Sequence, residues 1–415
     1  MKTTKCFVFL ALCTFLFSGC TSGGEKGDKG FVTQGFERAE QQLSAQIEAV
    51  PDSTSFPRTM SKDGERVVTR RNDWTEGFYP GCLWYIYEYT GKDEWKKAAT
   101  KWTETLEPLK KLTTHHDIGF LMYCSFGNAY RLTGEEKYKD ILIESARSLC
   151  TRFNEKTGCI ESWNYRKAWN GKDEWYFPVI IDNMMNLELL YFATKMTGDS
   201  TFYAVANKHA ETTARNHFRE DYGSYHVVDY DENTGEVLHR ATCQGFSDNS
   251  TWARGQAWAI YGYTMAYRET KRKDFLDMAV RVAEFWLNHP NMPEDGIPYW
   301  DFNAVQKGYV ADWSYDPKKF KVMPRDASAA AIVASAFLEL AGYVPDGDKY
   351  FQTAEHILQS LSSPGYLATP GTNCNFILMH CVGSIPHDSE IDVPLVYADY
   401  YYLEALTRYD NLMYN

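Results

Sequence analysis

Apolar residues return at three- and four-residue spacing through residues 253–269, 275–288 and 327–343. That is the period of a helix burying one face. These stretches share a punctuation. Thr90-Gly91, Thr133-Gly134 and Thr197-Gly198, and in altered form Thr270-Lys271 and Pro345-Asp346, are each followed by an aromatic: Trp95, Tyr138, Phe202, Phe275 and Tyr350. Glycine closing one helix and an aromatic opening the next mark a helix hairpin. Recurrence along the whole chain predicts a helical array. About six hairpins fit between residues 35 and 412. Six can close into a toroid with a central funnel, and an open solenoid fits the period equally well. The uneven spacing leaves room for loops or short strands. Residues 225–230 alternate like a strand, with a turn over residues 231–235.

Two places break the apolar pattern with a carboxylate. One is His115-His116-Asp117-Ile118-Gly119-Phe120; the other is Ile180-Ile181-Asp182-Asn183-Met184-Met185-Asn186-Leu187. A carboxylate among Ile, Met and Phe is costly to bury unless it is paired or does chemistry. Two of them suggest an acid/base pair, the usual equipment for breaking glycosidic bonds. Desolvation would raise the pKa of Asp182 toward a general acid's range, with Asn183 and Asn186 near enough to hydrogen-bond. A structural aspartate satisfied by an arginine or by backbone fits the same residues. Asp117 suits a helix N-cap as well as a site, and Gly119 would let a ligand or another backbone approach closely.

Other polar residues gather around these two. Gln244, Asp248, Ser250, Thr251, Trp252, Arg254, Gln256 and Trp258 form a dense run into the helix near residue 253. Arg254 and Trp258 are four apart and share a helix face, which suggests a carboxylate clamp beside a stacking platform; a surface cation–π pair is the plainer alternative. His226 sits in the strand-like segment. Trp74 lies on a Gly/Pro-bearing turn over residues 72–81, and Trp163 and Trp169 precede Asp182.

Composition narrows the function. A formal net charge of −12 argues against nucleic acid as partner. The aromatic fraction of 15% suits a carbohydrate cleft, although most of these rings are expected in helix packing. Seven cysteines lie outside the N-terminal segment with no C-x-x-C, so neither a disulfide framework nor a metal site is expected, and no cofactor is implied. At the N-terminus, Lys2 and Lys5 precede an apolar stretch over residues 7–17, and Phe17-Ser18-Gly19-Cys20 reads like a lipobox. The expectation is a removed signal over residues 1–19, lipidation at Cys20, a flexible tether over residues 20–34 and a single catalytic domain over residues 35–415. An ordinary secretory signal is the alternative. The protein would then be a lipoprotein facing the periplasm or the cell surface, on the membrane through its lipid alone.

These motifs in this order resemble the unsaturated glucuronyl hydrolases of glycoside hydrolase family 88. The resemblance runs through residues 74–81, both aspartate segments, Ser250-Thr251-Trp252-Ala253-Arg254-Gly255-Gln256-Ala257-Trp258, Ser389-Glu390-Ile391-Asp392 and Tyr397-Ala398-Asp399-Tyr400-Tyr401. It implies an all-α fold, an (α/α)6 barrel with short strands or loops around the active-site funnel. It also implies hydration of the C4=C5 double bond of the unsaturated uronate that polysaccharide lyases leave at a non-reducing end. Asp182 would donate a proton to C4 and activate water for C5, with Asp117 positioning the substrate and tuning Asp182. Because the anomeric carbon is not attacked, carboxylate separation says nothing of retention or inversion. By the same resemblance Trp74, His116, Trp163, His226, Gln244, Arg254 and Trp258 line the uronate subsite. Residues 384–389 lie where some relatives read sulfate, but residues 380–394 contain no Lys or Arg, which speaks against strong sulfate binding by that loop. The expected partner is an unsaturated uronate-terminated oligosaccharide of glycosaminoglycan type, with no obligate protein partner. Alternatives are an unsaturated rhamnogalacturonyl hydrolase on pectin fragments, a sugar epimerase on the same barrel, which would use paired histidines, and a non-catalytic glycan-binding lipoprotein.

Overall fold

A computed structural model describes residues 30–414 apart from Arg71, Trp169, Asn170, Lys172 and Pro317. The expected signal segment, Cys20 and Trp169 lie outside the described residues.

Helix α1 (Gly30–Ala49) is followed by α2 (Phe78–Thr90) and α3 (Asp93–Thr105), then α4 (Ile118–Met122), a π turn, α5 (Asn128–Thr133) and α6 (Glu136–Cys150). A 3-10 turn over Ile181–Asn186 runs into α7 (Leu187–Thr197), and α8 (Ser200–Asn216) returns. Next come α9 (Ala253–Thr270) and α10 (Lys273–Asn288), then α11 (Ala327–Ala341) and α12 (Asp348–Leu361), and finally α13 (Val396–Tyr414). The inner ring is α2, α4–α5, α7, α9, α11 and α13, and it closes because α13 packs on both α11 and α2. An open solenoid is thereby excluded; the fold is an (α/α)6 barrel. Helix α1 completes the ring as outer partner of α13, so the first and last helices form the sixth hairpin.

Burial separates the two layers. Helices α9, α11 and α13 are buried on nearly every side, whereas α3, α10 and α12 bury one stripe. The repeat is visible in the turns. Gly91, Gly134 and Gly198 end inner helices at φ 66°, 69° and 75°, and Lys271 takes the same left-handed conformation at φ 57°. Each marked aromatic is the third residue of an outer helix, and all five are buried. At the fifth hairpin α11 ends at Gly342 in the right-handed region, so Pro345-Asp346 falls in the turn without acting as its cap.

The expected tether boundary is corrected. Helix α1 begins at Gly30 and buries Phe31 and Val32, so apolar packing claims residues assigned to the tether. The strand expected near His226 is present: Val227–Tyr230 pairs antiparallel with Pro178–Ile180 and Val237–Ala241, and the Gly235 N–H closes the intervening turn on the Asp231 carbonyl at 2.8 Å. Hairpins Phe56–Met60/Arg66–Thr69 and Cys381–Ser384/Ser389–Val393 were not signalled by any alternation.

Candidate active site

All six inner helices start at one mouth of the barrel. Trp74 stands just ahead of α2, Asp117 immediately before α4, Asp182 in the 3-10 turn leading to α7, and Arg254 in the first turn of α9. Asp326 is the N-cap of α11, and Tyr397 lies in the first turn of α13. Between them opens a cavity of about 420 Å³ whose wall includes Trp74, Asp117, Trp163, Asp182, Gln244 and Arg254. Six helix N-termini around one space favour an anionic occupant.

The two aspartate segments meet backbone to backbone. A Cβ on Gly119 would lie 2.6 Å from Asn186 Cα, so only glycine permits the crossing. Asn186 then locks it: its Oδ1 accepts the Phe120 N–H at 2.9 Å, and its amide nitrogen lies 3.3 Å from His116 Nδ1. The Asn183 amide donates to the Ile160 carbonyl at 2.7 Å. Both asparagines hold the segments, and neither of these bonds goes to Asp182. The His116 N–H donates to the Ser162 carbonyl, which aligns Asp117 with Trp163.

Asp182 is buried, and its Oδ2 has no hydrogen-bond partner among the described residues. Burial pushes its carboxyl up to about 7; the Arg254 charge opposes this and the Asp117 charge reinforces it. Burial acts in the same direction on Asp117, but the neighbouring His116 and His115 outweigh it and hold Asp117 below the usual carboxylate value. The ring nitrogens lie 3.1 Å (His115 Nδ1) and 3.4 Å (His116 Nε2) from its oxygens. Asp117 occupies the N-cap position of α4, yet its side chain caps no N–H, so the capping reading is excluded. Glu188 and Asp399 are also pushed up to about 7 by burial. Glu188 is paired with Arg268, and Asp399 accepts the N–H groups of Ile377 and Leu378. What distinguishes Asp182 is an unpartnered oxygen at a cavity wall.

Two buried imidazoles beside the pair, those of His226 and His116, are pushed toward the neutral form. His226 Nδ1 accepts the N–H groups of Cys243 (3.0 Å) and Gln244 (3.1 Å), which leaves the ring proton on Nε2, 3.7 Å from Asp182 Oδ2. Burial, reinforced by the Arg254 charge, holds its pKa far below the ordinary histidine value. Burial likewise brings His116 down to about 4.

Of the nine residues expected in the site, six line the cavity; His116, His226 and Trp258 sit behind its wall. Trp258 is corrected as a stacking platform: it is fully buried, with Phe120 and Tyr401 ring centroids 5.2 and 5.4 Å away. The ring over which the Arg254 guanidinium lies, at 4.4 Å, is Trp252. The pair is buried, so it is no surface contact. Arg254 also spends donors within the protein, on Asp326 Oδ2 at 2.9 Å, on the Val382 carbonyl and on the Gly383 carbonyl at 2.8 Å. The buried N-cap Asp326 requires that counter-charge. Gln244 donates to the same Gly383 carbonyl at 3.0 Å. Sequence reasoning missed Arg58, Arg166 and Asp326. Asp326 ahead of an apolar helix is an N-cap signal that could have been read; Arg58 and Arg166 look like any surface arginine until the fold brings them to the cavity.

Residues 52–364 match the profile of Glycosyl Hydrolase Family 88. The chain is 44% identical over 417 residues to an unsaturated glucuronyl hydrolase of Formosa agariphila, covering 100% of both. It is 32% identical over 386 residues to an unsaturated chondroitin disaccharide hydrolase of Streptococcus pneumoniae, covering 91% of each. A crystal structure of an unsaturated glucuronyl hydrolase specific for heparin superposes with a TM-score of 0.86 at 46% identity, over 92% of this chain and 98% of that one.

Proposed function

The chain belongs to glycosyl hydrolase family 88, and on that premise we propose that it removes a Δ4,5-unsaturated uronic acid from the non-reducing end of lyase-generated glycosaminoglycan oligosaccharides. One observation carries the reading: a buried carboxyl held near neutrality beside a second one held ionised, both at the wall of a single cavity. A protonated Asp182 can give its proton to C4 of the ring double bond. The resulting carboxylate then takes a proton from water as its oxygen adds to C5, and the hemiketal so formed opens and frees the neighbouring sugar. His226 supports this cycle with an Nε2–H facing the oxygen that becomes charged. Asp117 keeps Asp182 protonated through its charge. The donors of Arg254 not taken by Asp326 and the loop carbonyls are left for the uronate carboxylate. Relatives described for chondroitin and for heparin both support a glycosaminoglycan source.

The test follows the ultraviolet absorbance of the conjugated uronate in unsaturated chondroitin, heparin and rhamnogalacturonan disaccharides. Loss is expected on the first two; loss on none overturns the proposal. Asp182→Asn should abolish turnover and retain substrate binding. A near wild-type rate in that variant removes Asp182 from the acid/base role.

We further propose that Cys20 is lipidated and holds the enzyme at a membrane facing the periplasm or the cell exterior, which the lipobox-like Phe17-Ser18-Gly19-Cys20 supports. Cys20→Ala should move the protein from the membrane to the soluble fraction; unchanged fractionation rejects the anchor.

A further inference from the structure

Three arginines line the cavity, and two of them are committed. Arg58 is bound to Glu390 at 2.6 Å and also to Asp73, and Arg254 is bound to Asp326. Arg166, among the described residues, pairs with no carboxylate. Its guanidinium lies over the Trp163 ring at 4.8 Å and within 5.9 Å of the Trp175 centroid. A strand pairing of Arg166 with Trp175 ties down its backbone. Stacking on indoles fixes the plane of a guanidinium and leaves its N–H edge free to donate, the geometry that binds oxyanions in bidentate fashion.

Arg166 shares the cavity with the turn that carries Ser384 and His387. Arg254 is the cation that Asp182 feels most. The charge of Arg166 acts on His387, whose pKa burial and then Arg166 hold below the ordinary value, and it also contributes to the lowering at His226. His387 belongs to the turn of the Cys381–Ser384/Ser389–Val393 hairpin, where Ser384 Oγ lies 2.6 Å from its Nδ1. Ser384, His387 and Ser389 line the cavity, yet residues 380–394 supply no Lys or Arg. A uronate seated on Asp182 leaves Arg166 to the sugar that follows it.

We propose that Arg166, stacked on Trp163 and facing the Ser384–Ser389 turn, binds an oxyanion substituent, a sulfate ester or a carboxylate, on the sugar adjoining the unsaturated uronate. The inference rests on the function proposed above and adds a specificity-determining residue to it. It explains how a loop without cations can border an anion subsite: the positive charge comes from Arg166, outside the loop.

The experiment compares wild type, Arg166→Ala and Arg166→Lys on three unsaturated disaccharides whose second sugar is neutral, sulfated or a uronate. Arg166→Ala should lower kcat/KM about tenfold or more on whichever charged substrate Arg166 reads. On the neutral one the change should stay within about threefold, and Arg166→Lys should recover part of the loss. The substrate that responds identifies sulfate or carboxylate as the anion. Equal losses on all three, or none on either charged substrate, overturn the proposal. Calorimetric binding of the same disaccharides to Asp182→Asn, with and without Arg166→Ala, reads the subsite apart from turnover. Preference for a charged substrate that vanishes with Arg166 supports the subsite even if hydrolysis fails; absence of any preference in Asp182→Asn rejects it.

Discussion

At the scale of single residues the site works by splitting two carboxyls. Asp182 is pushed up to about 7, and Asp117 is held below its ordinary 3.8. A raised acid is protonated below its folded pKa, so kcat/KM should be flat through mildly acidic pH and fall above about 7. The acid limb, which reports Asp117, should lie below the usual carboxylate range. Asp117 raises Asp182 through charge, so Asp117→Asn should move the alkaline limb to lower pH besides slowing turnover. A limb that stays in place would show that Asp117 acts by contact alone. The two aspartates were legible in sequence because a carboxylate among Ile and Met stands out. Roles for Arg254 and Trp258 were less legible. Which face of α9 meets the cavity depends on Asp326, 72 positions away, and on the strand carrying Val382 and Gly383.

At the scale of elements, what sets the carboxyls side by side is a contact between α4 and the turn before α7. Gly119 makes it possible. Gly119→Ala places a methyl 2.6 Å from a backbone atom that cannot swing away, so a cost of about 2 kcal/mol in stability is expected. The shift that relieves the clash also separates Asp117 from Asp182, so kcat should fall even well below the melting temperature. Gly91→Ala is the contrast: it strains a left-handed cap at φ 66° with open space around it, costing about 1 kcal/mol and leaving kcat unchanged. Thermal melts and initial rates of both variants check the pair; similar kcat losses would refute the positioning role of Gly119. The hairpin register was legible because Gly caps and early aromatics are local signals. The small hairpins at the mouth were not, since four- and five-residue strands leave too little alternation to read.

At the scale of the molecule the barrel has two mouths with opposite electrostatic habits. Closure itself was not legible, because the ring is sealed by α13 meeting α2 and α11, contacts between distant parts of the chain. At the N-terminal mouth a carboxyl oxygen of Asp182 is left without a partner. Toward the C-terminal ends of the inner helices a second cavity of about 500 Å³ is lined by Glu88, Arg131, Glu188, Arg268, Glu404 and Arg408. These charges are paired: Arg131 with Glu88 at 2.6 Å, Arg268 with Glu188, and Arg408 with Glu404 at 3.3 Å and with Glu339 at 2.8 Å. Glu339 also holds Arg268 at 3.0 Å, so α9, α11 and α13 are tied through one carboxylate. Removing Arg408 leaves Glu339 with Arg268 and takes from the buried Glu404 the cation paired with it. Arg408→Met should therefore cost about 2 kcal/mol in stability, somewhat less than a fully buried pair because the side chain is partly exposed. It should leave KM and the pH profile as they are. Denaturant unfolding together with steady-state kinetics distinguishes the outcomes. A KM change in a variant of unaltered stability would mean that the far cavity communicates with the substrate. The expected reverse pattern shows one mouth built to hold the ring shut and the other to keep a carboxyl reactive.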